Sequence, residues 1–147
     1  GRRRRDGRRR SAAAAVLQAA GAEVLVLDME AFTGAPPPRV GLVVDALVGS
    51  GITGPLRGAA LALLNAMRLR AVPIVSVDVP SGLDPGTGMI GDTVSADVTV
   101  AIGAVHPGLL LPGLAPFIGD LYLASLDGAR APLVRVVGAP DAPTWRE

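Results

Sequence analysis

Two carboxylates and a serine follow apolar runs of the sequence, where strands would deliver them to the end of a sheet. Asp45 follows GLVV, Asp78 follows VPIVSV, and Ser81 comes three residues after Asp78 in the run VDVPSGLD. A carboxylate held rigidly in such a place can act as a general acid or base, and Ser81 adds a hydroxyl or carbonyl oxygen for an ion or a substrate. Two plainer interpretations stay open from spacing alone: a solvated Asp45 in a tight turn, and an Asx-type turn at Asp78.

A glycine-rich segment, GSGITGP, comes soon after Asp45 and occupies residues 49–55. The N–H groups of such a turn, together with the start of the next helix, favour an anion such as phosphate. Gly-rich turns between a strand and a helix are common, so this signal alone is weak.

The other reactive residue types are few. His106 is the single histidine, and a lone loop histidine is most simply a surface residue. The sequence has no Cys and no Lys. These absences exclude a disulfide scaffold, a Cys-ligated zinc site, a cysteine nucleophile, a Schiff-base lysine and a Walker lysine. The zero cysteine count fits a reducing compartment, and we expect a cytoplasmic protein.

Charge is divided unevenly along the chain. The 147 residues carry 14 Arg and 13 acidic side chains, for a net charge of +1. Seven Arg lie within residues 1–10, which leaves seven Arg against twelve acids, a net charge of −5, in the rest. An Arg-rich tail can neutralise phosphates, but this one lacks the interleaved aromatic side chains that stack on bases. No apolar stretch approaches the ~20 residues of a membrane-spanning helix. We therefore expect no membrane partner, and we do not expect a nucleic acid as the main partner.

The order of the apolar segments predicts an α/β fold. Continuous apolar strands alternate with helices, which is typical of a mostly parallel sheet covered by helices on both faces. Ligands bind outside the carboxyl ends of such strands. One edge should therefore gather Asp28, Asp45 with residues 49–55, Asp78 with residues 80–84, and residues 103–106 with His106. We expect helices over 12–20 and 56–70, a loop or short helical turn over 106–113, and strands over 22–29, 40–47, 72–79, 96–104, 119–126 and 131–137.

Three segments together resemble the NAD(P)H-hydrate epimerase family, whose domain is also called the YjeF N-terminal domain. They are VVDALVGSGITGPLRG (43–58), IVSVDVPSGLDPGTG (74–88) and ADVTVAIGAVHPGLLLPG (96–113) with the later GDLYLASL (119–126), in the family's order. Their conjunction is specific, although no single motif would be. The resemblance implies a Rossmann-like three-layer αβα sandwich. It also implies epimerisation of the hydrated nicotinamide ring of damaged NADH or NADPH, so that a stereospecific dehydratase can restore the cofactor.

The resemblance implies roles for individual residues. Asp78 falls on the family's substrate-contacting acid or base, while Asp45 and Ser81 fall on ligands of a potassium ion. A substrate-contacting loop of the family falls on Gly49, Ser50, Gly51, Ile52, Thr53, Gly54 and Pro55, and Asp6 falls in a second such loop.

The chain departs from the family near its beginning. The family's G-N-N-G-G-D-G loop, which contacts substrate and gives potassium an Asn ligand, falls on residues 1–7, where Gly1, Asp6 and Gly7 match but Arg replaces both Asn. We therefore expect an Arg-rich tail over 1–10, a YjeF N-terminal-like domain over 11–128 that lacks the family's first βα portion, and a C-terminal strand and tail over 129–147. His106 stands where the family often has Lys.

Two other interpretations stay open. Relatives in mRNA-decapping scaffolds use this fold for dimerisation and RNA contact, so the chain could be a non-catalytic module that forms a homodimer or binds RNA. It could also be an inactive fragment. As an enzyme, it would act on hydrated NADH (NADHX) or hydrated NADPH (NADPHX). A separate dehydratase would be its partner in repair.

Overall fold

The computed structural model describes residues 14–25, 39–51, 54–69, 71–88, 91–126 and 134–136. The chain divides into two compact units, Gly1–Pro37 and Pro38–Glu147. In the first unit, residues 14–19 are helical (α1) and end at Gly21, which takes a φ of +85°. This agrees with the predicted helix over 12–20. Of the predicted strand 22–29, residues 22–25 form no strand and the remainder lies outside the described residues.

The second unit contains a five-stranded, mostly parallel sheet. Its strands lie in space in the same order as in the sequence, with the first four parallel and the fifth antiparallel to the fourth. This confirms the predicted α/β class, and each strand lies inside the segment that the sequence predicted. The strands are β1 (Val43–Asp45), β2 (Ile74–Val77), β3 (Val98–Ile102), β4 (Asp120–Ala124) and β5 (Val134–Arg135).

The connection from β1 to β2 is the helix α2 (Gly58–Arg68). Its Leu64 is fully buried and packs with Leu56 and Ile74 in one hydrophobic cluster. The helix begins two residues later than predicted because Arg57 is still extended, with a φ of −140°. This β–α–β unit makes β1 and β2 parallel neighbours.

The connection from β3 to β4 is built from two 3-10 turns, Pro107–Leu110 and Pro112–Leu114, and the short helix α3 (Ala115–Ile118). The sequence predicted only a loop or a short helical turn over 106–113 and no helix at 115–118. Proline near the start of each element is compatible with helical geometry, because the first N–H groups have no intrahelical acceptor. Their buried leucines and Ile118 pack with Ala101 and Leu121 in a second cluster, so apolar burial holds these short turns in place.

Parallel register brings chemically active residues to one edge of the sheet. Asp45 pairs with Ser76 across β1 and β2, and Ser76 pairs with Thr99 on β3. Asp78 directly follows β2, and His106 directly precedes the first 3-10 turn after β3. The carboxyl ends of the first three strands therefore deliver these groups to a common edge, as expected. Within the described residues, no helix is long and apolar enough to cross a membrane.

Candidate functional site

Asp45 ends β1 and is almost completely buried, at 1% exposure. Its Oδ1 accepts hydrogen bonds from the Ser81 hydroxyl at 2.6 Å and from the Leu47 N–H at 3.3 Å. Its Oδ2 accepts from the Ser81 N–H at 2.8 Å and from the Ser76 hydroxyl at 2.9 Å. Four donors thus match the lone pairs of an ionised carboxylate, which accepts at both oxygens. The open alternative of a solvated Asp45 is wrong, because β2 and the turn that follows it cover the side chain.

Ser81 connects this buried carboxylate to the loop that carries the glycine-rich segment. Its hydroxyl accepts a hydrogen bond from the Val48 N–H at 3.1 Å and lies 3.2 Å from the Val48 carbonyl oxygen. The residue is 1% exposed. Ser81 therefore fastens two segments to Asp45, namely its own turn after β2 and the chain that leaves β1.

The turn that carries Ser81 depends on Gly82. This glycine has a φ of +92°, and a Cβ placed on it would overlap the backbone carbonyl oxygen of Asp92. Further along the loop, Asp84 accepts hydrogen bonds from the N–H groups of Gly86 at 2.8 Å and Thr87 at 3.2 Å. These bonds favour the charged carboxylate and lower the pKa of Asp84 below its ordinary value. Backbone geometry and an Asx-type turn thus shape the loop that follows Asp78.

Asp78 has a left-handed backbone, with a φ of +71°, as the one non-glycine residue with positive φ in the described part of the chain. Its N–H donates to the Val100 carbonyl oxygen at 2.7 Å, which ties the turn to β3. Its Oδ2 accepts from the Ser50 N–H at 3.3 Å. The carboxylate thus faces the loop after β1, whereas the Asx-turn alternative required a bond from the backbone that follows Asp78. A residue held in this uncommon conformation is a candidate functional residue.

His106 lies beside Asp78. Its Nε2 is 3.7 Å from Asp78 Oδ1, and the two side chains are 33% and 22% exposed. The expectation that a lone loop histidine is a surface residue misses this contact, because the loop after β3 folds back towards the end of β2. The two groups are therefore packed together and still partly open to solvent.

The predicted phosphate loop lies against the same carboxylate. A Cβ on Gly49 would come 3.1 Å from Asp78 Oδ2, so the absence of a side chain leaves room for the acid. Gly49, Ser50, Gly51, Gly54 and Pro55 are exposed. The other residues predicted to contact substrate, Ile52, Thr53 and Asp6, lie outside the described residues.

The oxygen atoms around Ser81 have the chemistry that an alkali cation such as potassium prefers. Ser81 Oγ is close to both Asp45 Oδ1 and the Val48 carbonyl oxygen, so three oxygens of different type converge. Asp45 would give up one hydrogen bond to become a ligand, and the longest, from Leu47 N–H at 3.3 Å, is the easiest to replace. Within the described residues, no group of three or more His, Cys, Asp or Glu side chains is suited to a metal ion. A cation here would therefore depend on one carboxylate, Asp45, together with the Ser81 hydroxyl and the Val48 carbonyl oxygen.

Sequence reasoning missed two functional relations. The first is the role of Ser76, for which the sequence has a signal: a serine inside the apolar run VPIVSVDV is a buried hydroxyl, and a buried hydroxyl needs a hydrogen-bond partner. That partner is Asp45 on the neighbouring strand. The contact between His106 and Asp78 has no comparable signal, since 27 intervening residues separate the two positions.

Comparisons with known proteins agree with this architecture. The sequence matches the family described as "YjeF-related protein N-terminus" over residues 4–108, more than half of the chain. It is 42% identical over 83 residues to the bifunctional NAD(P)H-hydrate repair enzyme Nnr of Pyrobaculum aerophilum, which covers 56% of this chain and 17% of that protein. It is 37% identical over 93 residues to the NAD(P)H-hydrate epimerase of Truepera radiovictrix, covering 63% of this chain and 41% of the relative. It is 46% identical over 67 residues to the Nnr enzyme of Mycobacterium tuberculosis, covering 45% and 14%.

The chain therefore matches less than half the length of each of these relatives. The matching family nevertheless extends over the three elements that build the site, from the loop after β1 through Asp78 to His106. The chain belongs to the YjeF-related protein N-terminus family.

Proposed function

We propose that the protein is an NAD(P)H-hydrate epimerase that interconverts the R and S epimers of hydrated NADH and NADPH. One observation carries the proposal. Asp78 lies in a left-handed turn at the carboxyl end of β2, with one oxygen held by Ser50 N–H and its side chain partly exposed. Two relatives bear on the activity: a repair enzyme for NAD(P)H-hydrate, at 42% identity, and an NAD(P)H-hydrate epimerase, at 37% identity.

The chemistry of epimerisation suits a single rigid carboxyl group. Inverting a carbon that bears a hydroxyl requires a bond at that carbon to break and re-form. A proton must reach the departing oxygen, and a proton must leave the oxygen that adds. Asp78 can serve both steps, because one Asp oxygen is fixed by the loop and the carboxyl group remains accessible. Positioned acid–base catalysis of this type contributes about 10²–10⁴-fold to a rate.

The loop of residues 49–55 is proposed to hold the dinucleotide. It is glycine-rich, exposed where described, and close to the start of α2. Backbone N–H groups of such a turn can bind the phosphates of the substrate. A potassium ion held by Asp45 and Ser81, with the Val48 carbonyl oxygen nearby, would stabilise the junction between this loop and the turn that carries Asp78.

The test replaces Asp78 with Asn in the full chain. Asn also tolerates the left-handed region, so Asp78→Asn removes the charge while keeping the turn. The assay follows a single purified epimer of NADHX towards equilibrium by chromatography, with the rate in protein-free buffer subtracted. We expect a loss of about 100-fold or more. Asp92→Asn is the matched control, since Asp92 is exposed and pairs with Arg68 on the surface.

An Asp78→Asn protein as active as the wild type would remove Asp78 from the mechanism. A wild-type chain with no epimerase activity, but with cooperative unfolding, would favour a non-catalytic module of the same fold. The homodimer and RNA-binding alternatives stay predictions, since the Arg-rich tail over 1–10 lies outside the described residues. The cytoplasmic location and a partnership with a dehydratase are also proposals.

A further inference from the structure

We propose that His106 is the proton partner of Asp78, so that the two side chains work as one acid–base pair. The inference rests on the proposed function and extends it to a second residue. His106 is a positioning residue here: it faces the outer oxygen of Asp78 and acts on the substrate through that carboxyl group.

The two carboxylate oxygens of Asp78 have different neighbours. Oδ2 accepts the Ser50 N–H at 3.3 Å and is turned towards Gly49. Oδ1 faces His106 Nε2 at 3.7 Å. This distance is longer than a hydrogen bond, and a small movement of either side chain or one intervening water closes it. A fixed oxygen on one side and a proton-exchanging group on the other are what a carboxyl group needs in order to alternate between acid and base.

Backbone contacts position both Asp78 and His106. Asp78 is fixed by its N–H bond to Val100 and its left-handed turn. His106 has an extended backbone and immediately precedes Pro107, where the 3-10 turn begins. The Leu109 N–H donates to the His106 carbonyl oxygen at 3.0 Å, and Leu109 is fully buried. The backbone that carries the imidazole is therefore anchored to the core.

Few other charges face the imidazole. Among the described residues, Asp78 is the ionisable group that makes an ion-pair contact with it. The loop packed against the 3-10 turn, through the Gly108 N–H bond to the Pro85 carbonyl oxygen, carries Asp84. That carboxylate is directed to the N–H groups of Gly86 and Thr87.

The proposed step balances without any co-reactant. Protonated Asp78 gives its proton to the hydroxyl oxygen on the hydrated carbon, the C–O bond breaks, and its electron pair leaves with water. The lone pair of the adjacent ring nitrogen stabilises the cation that remains. Water then adds to the opposite face, its oxygen forms the new C–O bond, and its proton returns to Asp78. His106 holds this one proton between turnovers and returns it to Asp78 before the next C–O bond breaks, an exchange for which an imidazole is well suited.

The test compares His106→Gln with His106→Phe in the full chain. Gln keeps a hydrogen-bond donor but exchanges no proton, and Phe keeps a flat ring with neither donor nor acceptor. For both variants we expect kcat to fall by about 10-fold to 100-fold with little change in KM, and the pH dependence of kcat to flatten. If His106 had only a structural role, His106→Gln would keep both the wild-type rate and the wild-type pH profile. That result would overturn the inference.

A second measurement is independent of activity. His106 is the only histidine of the chain, so its imidazole Cε1–H gives a single nuclear magnetic resonance signal, which His106→Gln must abolish. At fixed pH, Asp78→Asn should move this signal while Asp92→Asn leaves it in place. A signal indifferent to Asp78→Asn would overturn the pairing. An inactive wild-type chain would remove the proposed function and this inference with it, whereas an active chain with unimpaired His106 variants would remove the inference alone.

Discussion

Replacing Ser81 with Ala should weaken the fold more than the loss of any other single hydroxyl in the described core. The substitution removes the 2.6 Å bond to Asp45 Oδ1 and the acceptor of the Val48 N–H at 3.1 Å. It leaves the Ser81 N–H bond to Oδ2 intact, because that donor belongs to the backbone. The result is a buried carboxylate with three donors instead of four.

The magnitude follows from these two losses. A hydrogen bond to a charged group contributes about 1.5–3 kcal/mol, and an ordinary one about 0.5–1.5 kcal/mol. Ser81→Ala should therefore reduce the free energy of unfolding by about 2–4.5 kcal/mol. Ser76→Ala removes only the 2.9 Å bond to Oδ2 and should cost about 1.5–3 kcal/mol. Thr99→Val removes a neutral bond, 2.7 Å long, to the Ile118 carbonyl oxygen and should cost about 1 kcal/mol.

Urea denaturation followed by circular dichroism measures all three. With a urea m-value of about 2 kcal/mol/M, a loss of about 3 kcal/mol lowers the midpoint by about 1.5 M. The order of cost should be Ser81→Ala, then Ser76→Ala, then Thr99→Val. If Ser81→Ala lies within about 0.5 kcal/mol of the wild type, a span typical of surface substitutions, or if Thr99→Val is the costliest, the assigned role of the Asp45 cluster is refuted.

The same series tests the proposed cation. Potassium chloride, compared with choline chloride at equal ionic strength, should raise the midpoint of the wild type, because a ligand that binds only the folded state stabilises it. Ser81→Ala should lose this difference, whereas Ser76→Ala should retain it. Equal midpoints of the wild type in the two salts would refute potassium binding at Asp45 and Ser81.

Two further predictions concern the loop after Asp78. Gly82→Ala should reduce the free energy of unfolding by at least about 2 kcal/mol, because alanine resists the left-handed backbone and its Cβ overlaps the Asp92 carbonyl oxygen. Urea denaturation checks this, and Gly113→Ala, whose Cβ would meet open space, is the control that should unfold like the wild type. The lowered pKa of Asp84 contributes stability that is present above its ordinary pKa of 3.8 and is lost as the pH falls below it. Asp84→Asn should therefore show a smaller decrease in urea midpoint between pH 5 and pH 3 than the wild type, and an equal decrease would contradict the turn assignment.

The sequence by itself determined the sheet and the edge that carries the site. Short β-branched apolar runs such as VPIVSVDV favour buried strands, and a helix between two of them favours a parallel pair. The apolar runs end at Asp45 and Asp78, and this alone places both carboxylates at strand ends. The sequence signal is weaker between β3 and β4. Pro116 argues against a helix there, although α3 forms, and the 3-10 turns are stabilised by the burial of Leu109 and Leu114 rather than by local preference.

Only the tertiary structure decided which hydrogen-bond and ion-pair partners each polar side chain of the site has. Whether Asp45 is solvated or enclosed depends on the register that sets Ser76 beside it and on the turn that returns Ser81 to it. The left-handed backbone of Asp78 and its approach to His106 depend on two loops from different strands meeting at one edge. Spacing along the chain gives the residue types that reach the edge. Distances of a few ångströms between side chains arise only when separate strands pack, and those distances decide which oxygen is buried and which remains free to move a proton.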